Sequence, residues 1–156
     1  MTFEQYKSVV RGKLPPARIT REERGYLTAY EEFFKVEWLL TKLKITSFVT
    51  YAPAVDAAWL RAYSEDCLKT AIKTSPGLPR GWQNGVVSCA VAASERVSPD
   101  AAAFASARPS KHYSAFEYPA VFDLSNGRLL FYRGSIAWGS LYEGFLRNYM
   151  EYHFGA

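Results

Sequence analysis

The stretch Val86 to Ala93, Val-Val-Ser-Cys-Ala-Val-Ala-Ala, is almost unbroken apolar and small. A strand of that composition needs cover on both faces, and a sheet obtains it by packing helices on each side. A period-two segment lies upstream. Leu43, Ile45, Val49 and Tyr51 point one way, and Lys42, Lys44, Thr46 and Thr50 the other. The alternation predicts a half-buried strand, ended by Pro53. Between the two segments the spacing predicts a helix over about 57–74 with Asp56 as its N-cap. Its inner side would carry Trp59, Leu60, Tyr63, Cys67, Leu68, Ala71 and Ile72, and Pro76-Gly77 would end it. Strand, helix, strand in this order implies a right-handed crossover and a parallel pair. The fold class that follows is α/β with a mixed sheet, and 156 residues suit a single domain.

The flanking segments add elements to this frame. Thr2 with Gln5 reads as a capping box that opens a helix running to about Arg11. Thr20 with Glu23 repeats the signal, and Tyr26, Tyr30, Phe33 and Phe34 recur at helical spacing, which predicts a second helix despite Gly25. Ser98-Pro99-Asp100 starts an Ala-rich helix that ends before Pro109. Asn126-Gly127 between two β-type runs predicts a hairpin. A two-residue loop there would set Phe122 against Phe131 and Leu124 against Leu129 on a core face. Val121 against Tyr132 and Asp123 against Leu130 would form the other face. Ser140 with Glu143 reads as a third capping box, opening a C-terminal helix with Leu141, Tyr142, Phe145, Leu146, Tyr149 and Met150 on one stripe. The order α-α-β-α-β-α-β-β-α predicts a four- or five-stranded mixed sheet with one βαβ crossover, a β-hairpin in the C-terminal half and packed helices.

Composition narrows the function classes. Hydrophobic residues make up 49% and charged residues 22%, a globular rather than a disordered balance. The net charge of +4 gathers partly at the N-terminus, where Lys7, Arg11, Lys13, Arg18, Arg21 and Arg24 outnumber Glu4, Glu22 and Glu23. The excess is too dilute for the dense basic stripe of a nucleic-acid binder, so no specific nucleic-acid partner is expected. Cys67 and Cys89 lie in apolar settings and read as small buried hydrophobes. No run reaches the ~18 apolar residues of a membrane span. No leader pattern stands at the start, and a reducing cytoplasm is the expected compartment, with no membrane partner.

No chemical motif of high specificity stands out. Gly77, Gly81 and Gly85 match neither the P-loop nor the dinucleotide spacing. His112 and His153 are too far apart in sequence for a metal motif, so neither metal nor cofactor is expected. The richest segment is Lys111 to Pro119, with a cation, an imidazole, a hydroxyl, a carboxylate and three rings. A His and a Glu in proximity suit general acid–base work. In a regular strand, however, His112 and Glu117 point to opposite faces, so a direct dyad would need a bulge; otherwise these are structural residues beside a Pro-broken edge strand. The hairpin and the C-terminal helix should bring Trp138 and Tyr142 towards this segment. The candidate ligand-binding residues are therefore His112, Tyr113, Glu117, Trp138 and Tyr142. Arg80, Trp82, Arg133, Trp138 and Tyr142 could instead stack on bases, or form a dimer contact rich in Tyr, Trp and Arg.

From about Pro76 onward the chain resembles a family of small uncharacterised bacterial proteins. The resemblance rests on Pro76-Gly77, Gly85, His112 with Phe116-Glu117 and Pro119, Asp123-Leu124, Tyr132, Gly139 and Tyr142. It implies a bacterial cytosolic protein and carries no activity. Three functional readings follow from the sequence. The first is a binding or interaction domain that associates with itself. The second is a small hydrolase-like enzyme using His112 with Glu117 or Asp123, and the third a weak nucleic-acid binder.

Overall fold

A computed structural model describes residues 1–38, 42–77, 84–110, 112–134 and 142–156. Helix α1 spans Phe3–Lys13, and the Thr2–Gln5 capping box closes in both directions. Strands β1 (Ile19–Glu23), β2 (Tyr26–Phe34) and β3 (Lys42–Tyr51) follow. Helix α2 (Ala57–Thr74) leads to β4 (Asn84–Ser94), and α3 (Pro99–Ser106) leads to β5 (Ala115–Asp123). Strand β6 (Arg128–Phe131) and helix α4 (Glu143–Phe154) complete the order. The six strands form one mixed sheet in sequential order, β1 to β6. β3, β4 and β5 run parallel through the α2 and α3 crossovers, and the outer pairs are antiparallel.

The mixed α/β single domain expected from the sequence is the observed class, with six strands where four or five were expected. The extra strands replace the expected second helix. Arg24-Gly25 is a tight turn with Gly25 at φ +81°, and it joins β1 to β2 as a hairpin. Thr20 bonds across the hairpin to Thr28 at 2.9 Å rather than capping a helix. Along β2 the inward face is Leu27, Ala29, Glu31 and Phe33. The first three are buried, and Phe33 packs on the rings of Phe145 and Tyr149. Phe34 projects to solvent, so the helical spacing of the rings is incidental.

β3 is covered on both faces rather than one. Leu43, Ile45 and Val49 join a core with α1 and α4, whereas Phe48 packs with Cys67 and Ala71 of α2. α1 and α4 thus cover one face of the sheet, and α2 and α3 the other. β4 lies between them, buried along nearly its whole length. α2 has the expected bounds and Asp56 cap, the carboxylate accepting from the Trp59 N–H at 2.8 Å. Its buried face is Leu60, Ser64, Cys67, Leu68 and Ala71, while Trp59 turns outward and stacks on Tyr63 with ring centres 5.1 Å apart. Ser98 caps α3 with Pro99 at the first turn.

The hairpin between β5 and β6 exists, and its core face holds buried Phe122, Leu124 and Phe131, with Leu129 packed against them. Its register differs from the two-residue expectation. Phe122 pairs with Leu129 and Asp123 with Arg128, leaving the four residues Leu124–Gly127 as the loop. The Asp123 carboxylate decides this. It accepts from the Ser125 N–H at 2.9 Å and the Asn126 side-chain amide at 2.8 Å, opening the loop two residues earlier than a tight Asn-Gly turn. Gly127 takes the positive φ, +69°. The slip is even-numbered, so each side chain keeps its face. Ser140 and Leu141, part of the expected start of the C-terminal helix, lie outside the described residues.

Candidate functional site

Among the described residues, β5 is paired on one side only over its first half. β6 begins its pairing at Ala120, so Pro119 sits beside β4 alone and its missing N–H need not break a second ladder. Before the strand, the chain makes a tight turn. His112 bridges to Ala115, and Ser114 between them lies in the left-handed region at φ +49°, unusual for a residue with a side chain. The Ser114 hydroxyl donates to the Asn84 carbonyl at 3.1 Å and ties the turn to β4. This turn breaks the strict alternation that would separate His112 from Glu117.

The outcome is a direct contact. His112 Nε2 lies 2.9 Å from Glu117 Oε2, and the Ser64 hydroxyl donates to Glu117 Oε1 at 2.6 Å. Ser64 and Glu117 are buried, whereas His112 is about a third exposed at 31% of its side chain. A buried carboxylate is tolerable only when its lone pairs are used, and here each oxygen has a partner from a different element. The chain Ser64–Glu117–His112 thus joins α2, β5 and the turn before β5. His112 and Glu117 border a cleft of about 380 Å³ between α2, α3 and the loop after α3. Leu68, Phe104 and Pro119 give it apolar wall, and Arg61, Lys69 and Arg108 give it cations.

Glu117 also ends a polar row beneath α2. The strand registers set Tyr30 beside Thr46, Thr46 beside Ser88 and Ser88 beside Glu117. The hydroxyls of Thr46 and Ser88 are buried with no hydrogen-bond partner among the described residues. The opposite face of the sheet holds a second polar cluster. Tyr149 donates to Glu31 Oε1 at 2.7 Å and lies 3.0 Å from the Ser47 hydroxyl, while His153 Nε2 is 3.9 Å from the same Glu31 oxygen. Burial holds the His153 imidazole below its usual pKa, opposed by the Glu31 carboxylate and aided by Lys13. Glu31, Tyr149 and His153 are all buried.

The sequence candidates part company in space. His112 and Glu117 come together. Tyr113, beside them in the chain, is exposed. Tyr142 packs on Phe116 and Trp38, with ring centres 5.9 and 5.3 Å apart, and so belongs to the α1–α4 face, with the sheet between it and Glu117. Trp138 lies outside the described residues, as do Arg80, Trp82 and Lys111. Asp123, the other carboxylate considered for His112, is committed to the hairpin loop at the far end of β5. Six residues of strand, about 20 Å, separate it from Glu117. Sequence reasoning missed Ser64, although a lone serine at i+4 from Leu60 on the helix's apolar side is a visible signal. It also missed Arg61, Phe104 and Arg108, which carry no local signal.

The cysteines are buried and unpaired. Burial pushes the Cys67 thiol up to about 12 and raises Cys89 further, so neither offers a thiolate at neutral pH. Among the described residues no three His, Cys, Asp or Glu side chains converge as a metal site, and no helix is long and apolar enough to cross a membrane. Comparison with family models, with curated proteins and with solved structures finds no significant match, so the site is read from its own chemistry.

Proposed function

We propose that this protein is a small enzyme that works by general acid–base catalysis, with His112 as the proton-transferring group in the α2–α3 cleft. The observation that supports the reading is the Ser64–Glu117–His112 chain at the border of a cavity of ligand size. With Nε2–H donating to the Glu117 carboxylate, the lone pair rests on Nδ1, which takes a proton from a bound molecule. Glu117 fixes that tautomer and stabilises the imidazolium once formed. Ser64 holds the carboxylate in place. This is the division of labour in which an acid orients a histidine without itself taking the proton. A histidine so placed contributes typically ~10²–10⁴-fold to a rate.

Histidine ¹⁵N spectra test the first step. Wild-type His112 should show the Nε2–H tautomer at pH 8, and Glu117→Gln should shift the tautomer balance while the fold persists. An unchanged tautomer in Glu117→Gln means that the carboxylate does not orient the ring. A panel of chromogenic esters, amides and phosphates then tests turnover. His112→Asn must lose about 10²-fold or more on any substrate turned over; retained activity ends the enzyme reading.

Self-association has its own supporting observation: Phe34, the last residue of β2, and Val36, two residues on, are 53% and 72% exposed. Sedimentation should show a dimer that Phe34→Ser with Val36→Ser dissociates. A monomer at all concentrations refutes that reading.

A further inference from the structure

We infer that the ligand of the α2–α3 cleft is an organic anion: an apolar or aromatic body carrying one carboxylate or phosphate group, gripped by Arg61 and Arg108. The inference rests on the reading of this cleft as a binding site, and it concerns what the cleft selects.

The argument starts from the charges that border the cavity. Arg61 of α2 and Arg108 of the loop after α3 both line it, from opposite walls in the chain. Among the described residues neither guanidinium lies within ion-pair distance of a carboxylate. Lys69 adds a third cation at the rim, held only by an exposed contact of 3.8 Å to Asp66. Two carboxylates oppose them. Glu117 has both oxygens hydrogen-bonded, by Ser64 and His112, so its lone pairs are used while its negative charge remains. Glu65 lines the cleft too, as an exposed side chain of α2, so three cations face two carboxylates there. The charge left open to the cleft is therefore positive. Two of its three carriers are guanidinium groups, whose planar fork matches the oxygens of carboxylate and phosphate.

Arg61 is also positioned before any ligand arrives. Its guanidinium carbon stands 4.9 Å from the centre of the Phe104 ring on α3. A cation held over a ring face loses less side-chain freedom when it takes up an anion. The same ring, with Leu68 and Pro119, supplies apolar surface for the body of the ligand. His112 borders that surface with Nδ1 as its proton acceptor, so an anion seated on the arginines would present its neighbouring atoms to the dyad.

The test uses four probes with a phenyl body: 3-phenylpropionate, phenyl phosphate, 3-phenylpropionamide and 3-phenylpropylammonium. Each is titrated into the full-length protein and followed by two-dimensional NMR on the resonances of Leu68, Phe104 and His112. The carboxylate or the phosphate should bind at least about tenfold more tightly than the amide, and the ammonium more weakly still. The order of the two anions tells a carboxylic from a phosphorylated ligand. Arg61→Gln with Arg108→Gln, both exposed and outside the core, should erase the preference while the amide still binds. If the amide or ammonium binds in the cleft as tightly as the anions, the anion inference is overturned and the cleft reading stands. If the anions outbind the amide as strongly in the double variant, Arg61 and Arg108 are not the clamp. If no probe of any charge moves the cleft resonances, both readings fall.

Discussion

Removing the Ser64 hydroxyl tests the buried chain at its least exposed link. Ser64 is fully buried at 0% exposure and donates to Glu117 Oε1 at 2.6 Å. In Ser64→Ala the Glu117 carboxylate loses this donor. A hydrogen bond to a charged group is worth about 1.5–3 kcal/mol. Alanine returns roughly 0.5 kcal/mol through its higher helix propensity within α2. The net loss should be about 1–2.5 kcal/mol, a fall in melting temperature of roughly 3–8 °C for a chain of this size. Urea unfolding at pH 7.5 measures it, with an unchanged m-value showing that only stability moved. The informative measurement is the double-mutant cycle. In the Glu117→Leu background the serine has lost its acceptor, so Ser64→Ala there should be neutral or stabilising, giving a coupling of about 1 kcal/mol or more. A cost below about 0.5 kcal/mol in the wild type, or an equal cost in both backgrounds, would refute the bonded chain.

Phe131→Ala should cost ~3–5 kcal/mol, since the ring is buried against Phe122 and Leu124; a loss below 1 kcal/mol would show that the core face of the hairpin is not packed. Both cysteines should react slowly with a thiol reagent in the native state and fast on unfolding, because burial raises both thiols; rapid labelling at pH 7 contradicts that packing. Thr46→Val replaces a buried hydroxyl that has no partner among the described residues, so it should be neutral or stabilising by up to about 1–3 kcal/mol, and a clear loss in thermal unfolding would show that the hydroxyl is bonded. Burial lowers the folded-state pKa of His153, so its contribution to stability is whole above the unfolded value of about 6.5 and is lost as pH falls from there through the folded value; His153→Gln should flatten the stability profile between pH 7.5 and 5.5, and an unchanged profile rules the residue out as its source.

The parallel core was legible because its signals are redundant. β4 announces double cover by composition, and α2 carries a cap, an apolar face and a Pro-Gly stop that agree with one another. The N-terminal hairpin was not legible because two of its signals conflict. Thr20 and Glu23 imitate a capping box, and Tyr26, Tyr30 and Phe33 imitate a helical stripe. The strand's true inner face includes Glu31, a charged residue that a hydrophobic pattern counts as outward. Only the tertiary structure supplies its partner, Tyr149 from the far end of the chain. Gly25 was the honest local signal: at φ +81° it turns a hairpin, and inside a helix it would have no such use.

The site shows a similar division, and the reason is the backbone at one residue. Composition marks His112 and Glu117 as a pair, but the period-two rule places them on opposite faces, and that rule holds only while every residue stays extended. Ser114 does not. Its left-handed φ of +49° folds His112 back over Ala115 and turns the imidazole to the α2 side, where Glu117 points. No composition signal requires a serine to adopt that conformation, and non-glycine residues pay for it. Here the turn is held by the bridge from His112 to Ala115 and by the Ser114 bond to Asn84, and the second exists only once β4 lies beside this segment. The cations follow the same logic at longer range. Arg61 and Arg108 lie on different elements, and Phe104 meets Arg61 only because α2 and α3 pack side by side over the parallel strands. A single crossover would leave α2 with no facing wall. The second crossover, β4–α3–β5, creates the cleft, and the same strand β5 that closes the crossover delivers Glu117 to it.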